Sequence, residues 1–211
     1  MKKLPRVAII NYGAGNIGSV QNMLKKIGAK SYLAETKDEI LSADSLILPG
    51  VGSFDYGITK LRNSSLMPFI EQAVFEMKKP ILGICLGMQL LTRGSEEGTL
   101  PGLGWIDAYA YKFKRRANLR VPHMGWNIAN PTVMNTLTQG LSDNARFYFV
   151  HSYEVQCENT ENILFKTSYG EPFCSGIFKD NIYGVQFHPE KSHRFGMKLF
   201  DNFKGLIHAA K

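Results

Sequence analysis

The sequence predicts an α/β fold built on a mostly parallel central sheet, and three observations support it. Short apolar runs alternate with segments of helical periodicity through the first half of the chain. Several of those runs are apolar on both sides, as strands covered by helices on two faces must be. No Pro/Gly/Ser-rich linker interrupts the 211 residues, so one domain, 1–211, is expected.

Taken in order, RVAII (6–10) reads as a strand and IGSVQNMLKKIG (17–28) as a helix stopped by Gly28. KSYLA (30–34) is a second strand, and in TKDEIL the spacing of Thr36 and Glu39 is that of a capping box, which starts a short helix. SLILPG (45–50) runs as a strand into a turn. LMPFIEQAVFEMKK (66–79) follows as a helix, PILGI (80–84) as a buried strand and LGMQLLTRG (86–94) as a helix ending at Gly94. From about Gly104 the texture shifts to shorter strands and turns: GWIDAYAYKF (104–113), ARFYFVHSYEV (145–155), NILFKT (162–167), CSGIFK (174–179) and NIYGVQF (181–187). These read as antiparallel additions to the sheet. An amphipathic helix closes the chain, with Phe195, Leu199, Phe203 and Leu206 on one face.

With 44% hydrophobic and 20% charged residues and no internal repeat, the composition is that of a globular protein, not a disordered or fibrous one. No apolar stretch approaches the roughly 18 to 20 residues a bilayer span needs, and the apolar run in MKKLPRVAII is too short for a secretory signal. A cytoplasmic protein without a membrane partner is expected. Cys85, Cys157 and Cys174 form an odd set at unrelated spacings, which fits neither a disulfide framework nor a metal site. A net charge of +7 permits phosphorylated ligands or an acidic protein surface. The densest basic run, YKFKRR (111–116), reads as a solvated loop or edge strand, and no nucleic-acid motif accompanies it.

The strongest chemical signal is PILGICLGMQLL. Cys85 sits between a buried strand and a helix with Gly83 and Gly87 two residues to either side, the shape of a nucleophile elbow in which small neighbours relieve a strained turn. The helix N-terminus that follows favours a reactive thiolate. A thiolate acting on an amide needs a base and a group to orient it. GVQFHPEKS supplies both: His188 and Glu190, two apart in a segment that Pro189 should keep extended, leave the same side of the chain. His123, His151, His193 and His208 are the competing imidazoles, of which His193 and His208 fall on the terminal helix. An oxyanion hole is required as well. The amide of Leu86 is one expected donor, and the loop LPGVGSF, with Gly50, Val51 and Gly52, is expected to provide the other.

The opening turn NYGAGNIG also contains GAGNIG, Gly13 to Gly18, a G-x-G-x-x-G pattern with Glu35 beyond the next strand. Dinucleotide binding is one reading of it. A tight strand-to-helix turn without a nucleotide is the other.

The motifs PGVG, GICLGMQ and FHPE, in this order and at these separations, resemble those of the class I (triad-type) glutamine amidotransferase family. With NYGAGN, SEEG, VPHMGWN and VHSY the resemblance narrows to the glutaminase subunits of imidazole glycerol phosphate synthases and spans nearly the whole chain. It implies a flavodoxin-like fold in which Cys85, His188 and Glu190 hydrolyse L-glutamine through a thioester, with no cofactor. It implies that ammonia passes to a partner (β/α)₈-barrel cyclase in a heterodimer of histidine biosynthesis. By position, Gln89, Glu97 and the backbone of Gly50, Gly52, His151, Ser152 and Tyr153 would hold glutamine. Asn11 and Asn16, in a turn facing the partner rather than a nucleotide, would contact the cyclase, and Lys191 would pair with it. Trp126 is a further candidate interface aromatic. One stretch, GLGWIDAYAYKFKRR, looks more like paralogues that supply ammonia for amidination of a surface-polysaccharide amino sugar. Two other classes remain: a stand-alone cysteine hydrolase or peptidase, against which Gln89 and Glu97 weigh, and a non-catalytic nucleotide-binding or scaffolding module, which would not need the complete Cys85, His188 and Glu190 set.

Overall fold

The computed structural model of the protein describes residues 4–114, 119–141 and 143–209, with side chains as far as Leu206. Arg115 and Arg116 of the basic run, and the side chain of His208, lie outside the described residues.

The first half alternates as the sequence predicts. β1 (Arg6–Ile10), α1 (Ile17–Lys26), β2 (Lys30–Ala34), α2 (Lys37–Leu41) and β3 (Ser45–Gly50) follow in turn. α2 opens on the expected capping box, Glu39 N–H donating to Thr36 Oγ1 at 3.3 Å and Thr36 N–H to Glu39 Oε2 at 3.0 Å. α3 (Phe54–Asn63) is a helix that the sequence reading leaves out. Its central Gly57 argues against a helix by propensity. Tertiary packing requires it, because a Cβ there would stand 2.8 Å from Leu86 Cδ2. α4 (Met67–Glu71) then passes into a π turn at Gln72–Glu76 where one long helix is predicted. β4 (Ile81–Cys85) leads into α5 (Leu86–Leu90), which ends four residues before Gly94.

The second half supplies β5 (Ala108–Lys112), β6 (His123–Ile128), β7 (Asn130–Pro131), β8 (Arg146–His151), β9 (Tyr153–Cys157), β10 (Ile163–Tyr169), β11 (Glu171–Lys179), β12 (Ile182–Val185) and α6 (His193–Ala209). Among the described residues ten strands join one sheet in the order β2-β1-β3-β4-β12-β11-β10-β7, with β9 pairing β11 and β5 at its edge. From β2 to β12 the strands are parallel, and beyond β12 they are antiparallel. Two expectations for this half need correction. NIYGVQF is a parallel neighbour of β4, and all four residues of β12 are buried, as a strand covered on both faces is. The run 145–155 is two strands that part at Ser152, β8 pairing with β6 as a separate ribbon. The basic run begins at the end of β5, an edge strand.

A core fills each face of the sheet. Ala8, Ile10, Leu46 and Leu48 point to one side, against Ile40, Phe54, Ile58, Ile70 and Leu90 of α2 to α5. Val7, Ile9 and Ile47 point to the other, against Val20 and Leu24 of α1 and Leu199, Phe200, Phe203 and Leu206 of α6. The alternation along β1 and β3 is the pleat expressed as two layers. Of the face predicted for α6, Leu199, Phe203 and Leu206 are buried and Phe195 is half-buried. Because Phe203 is fully buried at the α6 side of this core, Phe203→Ala should lower unfolding stability by about 3–5 kcal/mol, read as a drop in the urea midpoint at unchanged slope.

Candidate active site

The centre of the site is forced by close packing. Gly50 lies opposite Cys85 in the β3–β4 register, and α5 starts directly after Cys85. A Cβ on Gly83 would meet the Gly87 carbonyl carbon at 2.7 Å, and one on Gly50 would meet Gly87 N at 2.5 Å; one on Gly87 would run into the Leu48 carbonyl. With the helix pressed this tightly onto the strands, the chain can turn only sharply. Cys85 takes φ 56° and ψ −112°, a conformation unfavourable for a residue with a side chain. The strain holds the thiol at the mouth of the turn, beside the free N–H groups of the first turn of α5.

His188 follows β12, which lies beside β4. Its N–H donates to Tyr148 O at 2.9 Å and its carbonyl accepts from Ser192 Oγ at 2.6 Å, which fixes the backbone on both sides of the ring. His188 Nδ1 and Glu190 Oε1 are 2.7 Å apart and both side chains are buried. The two meet differently from the extended segment expected. Residues Pro189–Lys191 form a 3₁₀ turn, and Pro189 stands at the start of that turn, where its fixed φ suits a helical conformation as well as an extended one. Burial works against a charge on His188, yet the Cys85 thiol and the Glu190 carboxylate outweigh it and hold its pKa up at about 10. His188 Nε2 is buried with no hydrogen-bond partner.

Cys85, Leu86, Gln89, Val51, Gly52, Glu97 and His188 line one cavity of about 380 Å³, together with His151, Ser152, Tyr153 and Lys191. Gly52 has φ +100° and open space around its α-carbon, whereas Gly50 packs beneath the loop onto α5. Glu97 is placed by α3: its Oε2 accepts from Phe54 N–H at 2.8 Å, at the first residue of that helix. Asp55 holds the same loop by accepting from the N–H groups of Thr99 and Leu100, both at 3.1 Å to Oδ1. The sequence reading missed three neighbours. Pro122 and Val150 complete the wall. Gln186, fully buried, reaches Cys85 Sγ with Nε2 at 3.7 Å and accepts from Gln89 Nε2 at 3.0 Å. Its position two residues before His188, just past the end of β12, is the signal that could have found it.

Among the described side chains the competing imidazoles have other partners. His151 Nδ1 lies 2.7 Å from Tyr153 O, which only accepts, so the proton sits on Nδ1. His151 Nε2 then accepts from His123 Nδ1 at 2.9 Å, and His123 Nε2 accepts from Asn127 Nδ2 at 3.2 Å. Burial lowers the pKa of His123 to about 4. Burial also lowers His151, to about 3, against the opposing Tyr153 hydrogen bond and with the help of charge on His123 and His188. His193 stacks on Trp126 at 5.4 Å.

Of the expected interface residues, Trp126 is 47% exposed, not core. Asn11 Nδ2 donates to Glu35 Oε1 at 2.5 Å, while Asn16 precedes α1 without a side-chain capping bond. Lys191 places its ammonium 5.7 Å from the centre of the Tyr148 ring, at the cavity wall. The glycines of NYGAGNIG serve the turn: Gly13 and Gly15 have positive φ, and a Cβ on Gly15 would lie 2.7 Å from Pro49 Cβ. Among the described residues no group of three or more His, Cys, Asp or Glu converges as a metal site would need.

Residues 8–205 match the family model described as "Glutamine amidotransferase class-I". The chain is 54% identical over 197 residues to "Imidazole glycerol phosphate synthase subunit HisH 2" of Methanococcus maripaludis, covering 93% of this chain and 98% of the relative. It is 47% identical over 201 residues to the protein of the same name from Pseudomonas aeruginosa, covering 95% and 100%. Among solved structures it resembles a putative GMP synthase subunit from Thermoplasma acidophilum, with TM-score 0.75 and 20% identity over 100% of this chain and 97% of that one. That likeness concerns the fold.

The buried His123–His151 pair makes acid stability testable. In the native state both stay neutral until well below the 6.5 of a free imidazole, so the unfolded chain binds more protons as pH falls through that range. Stability should therefore decline from about pH 6.5 towards 4, by up to about 1.4 kcal/mol per pH unit for each histidine. Urea midpoints at pH 6.5, 5.5 and 4.5 measure it. His123→Asn removes one titrating group and should make the decline shallower; an unchanged slope would exclude His123 as a source.

Proposed function

The chain belongs to the class-I glutamine amidotransferase family, and we propose that Cys85, His188 and Glu190 hydrolyse L-glutamine to glutamate and ammonia as the glutaminase subunit of an imidazole glycerol phosphate synthase. One observation carries the chemistry. A buried imidazole, anchored through Nδ1 to a buried carboxylate, leaves Nε2 unpartnered on the cavity that also holds a strained cysteine. The raised pKa of His188 favours its imidazolium form, which can give a proton to a leaving nitrogen.

The thiolate attacks the side-chain carboxamide carbon, and the oxyanion is stabilised by Leu86 N–H and by an N–H of the Val51–Gly52 segment. Collapse of the tetrahedral intermediate breaks the C–N bond as His188 Nε2 gives its proton to the leaving nitrogen. Ammonia departs and a thioester remains. Neutral His188 then takes a proton from water, hydroxide attacks the thioester, and glutamate leaves as the thiolate–imidazolium pair returns. Glu190 orients the ring throughout. The second oxygen of Glu97 faces the substrate ammonium, and backbone at Gly52 and 151–153 receives its carboxylate, while Gly50 supports the loop from beneath. Reorientation of the PGVG loop, so that an N–H replaces a carbonyl at the oxyanion, is the way a partner would activate the site.

Residues 1–211 act as one glutaminase domain in the cytoplasm. Ammonia goes to a (β/α)₈-barrel cyclase that makes imidazole glycerol phosphate and an aminoimidazole carboxamide ribonucleotide for histidine biosynthesis. Asn11, Asn16, Trp126 and Lys191 face that partner. The relatives' names and the high identity over nearly full length support this reading. A second receiving pathway, amidination of a surface-polysaccharide amino sugar, rests on the stretch GLGWIDAYAYKFKRR.

Glutamate release by the purified chain, alone and with the histidine-pathway cyclase of the same organism and its ribonucleotide substrate, tests the assignment. Strong stimulation is expected. No stimulation of a folded preparation would move the assignment to the second pathway. Cys85→Ala should abolish glutamate release while partner binding persists, and persistent release would refute the nucleophile. Glu97→Gln should raise KM for glutamine roughly ten-fold, the size of a lost charge-assisted hydrogen bond, with a smaller change in kcat.

A further inference from the structure

Gln186 is a fully buried polar side chain in direct contact with the cysteine, and the triad chemistry gives it no role. Its backbone N–H donates to Ser175 O at 2.9 Å, so the main chain is held by the neighbouring strand β11. The side chain is left to make two contacts. Nε2 stands 3.7 Å from Cys85 Sγ, and Oε1 stands 3.0 Å from Gln89 Nε2.

A side-chain amide has one accepting and one donating end, and its neighbours decide which way round it lies. A thiolate offers only lone pairs, so Gln186 must turn its NH₂ towards the sulfur. Oε1 is then directed at Gln89, which can satisfy it only with its own NH₂. Gln89 is in turn fixed with Oε1 as the free end, and Gln89 lines the cavity. The polarity of the chain is thus set from the sulfur outward: thiolate, Gln186, Gln89, and finally a ligand that must present an N–H.

We propose that Gln186 is a positioning residue with two effects, stabilising the Cys85 thiolate by donation and orienting Gln89 as an acceptor for a nitrogen of the substrate. This rests on Cys85 being the nucleophile. Each effect has its own readout. A hydrogen bond to a thiolate raises the thiolate fraction, which alkylation reports without any substrate. The orientation of Gln89 acts on substrate binding, which KM reports.

The experiment follows alkylation of the Cys85 peptide by iodoacetamide from pH 5 to 9 by mass spectrometry, which separates it from Cys157 and Cys174. It is paired with glutaminase kinetics in the activated complex. Gln186→Met keeps length and removes both polar ends; Gln89→Leu removes only the outer member. Gln186→Met should move the pH profile of Cys85 alkylation upward by about one pH unit, the size of a lost hydrogen bond to a charged group, and should raise KM for glutamine. Gln89→Leu should raise KM with the alkylation profile unchanged. An unshifted profile in folded Gln186→Met overturns the donor role, and an unchanged KM overturns the orienting role. If Gln186→Met does not fold, Gln186→Asn, too short to span sulfur and Gln89, takes its place with the same outcomes. Glutamate release surviving in Cys85→Ala would instead refute the nucleophile assignment on which the proposal stands.

Discussion

The contact on which the site depends is the approach of α5 to β3. Gly87 has no room for a side chain against the Leu48 carbonyl, and Gly50 and Gly83 close the same gap from the two strands. Three residues without side chains let a helix begin one residue after a strand ends. The cost appears at Cys85, whose φ of 56° is of a kind that strains a residue by about 1–3 kcal/mol. Burial of Leu86, Met88 and Leu90 in the core offsets it, since a fully buried side chain of this size contributes about 1.5–3 kcal/mol. Presentation of the thiol is therefore a product of packing, maintained by residues that never touch a ligand.

The parallel order of the central strands does the rest of the positioning. β3, β4 and β12 are neighbours running the same way, so their C-terminal ends lie side by side. β3 leads to Val51 and Gly52, β4 ends on Cys85, and β12 leads to Gln186 and His188. Ligands of open α/β sheets gather at such strand ends for this reason. Had β12 been one of the antiparallel additions, its exit would have been at the opposite edge of the sheet and His188 could not have met Cys85. The reversal of direction falls one strand later, at β11.

What the sequence disclosed depended on how far apart the interacting residues are. The elbow was legible because Gly83, Cys85 and Gly87 report a local steric demand, and the α2 start because a capping box spans three residues. His188 and Glu190 were legible as a pair, though the turn that joins them was not, because Pro189 is compatible with both an extended segment and a 3₁₀ start. α3 was lost to Gly57, which serves Leu86 from another element. The His123–His151 contact was beyond reach for the same reason, being defined by a partner 28 positions away, whereas Gln186 left only its place two residues before His188, which does not say that it faces Cys85 101 positions back.

Polar satisfaction distinguishes the one imidazole from the rest. His123 and His151 are buried like His188, yet every ring nitrogen of that pair has a partner, in a chain that runs from Asn127 to Tyr153 O. Such a network rigidifies a core and leaves nothing to react. Among the described residues the buried side-chain polar atoms without a partner are Ser45 Oγ, His188 Nε2 and Glu190 Oε2, and two of these three belong to the pair beside Cys85. Leaving a buried polar atom unpaired costs about 1–3 kcal/mol. A fold that satisfies two of its buried histidines completely, and anchors the third by Nδ1 alone, concentrates that cost at the one buried imidazole beside Cys85. Tyr148 O and Ser192 Oγ hold the His188 backbone and Glu190 holds Nδ1, so the ring keeps its other nitrogen away from the carboxylate and towards the sulfur that raises its pKa.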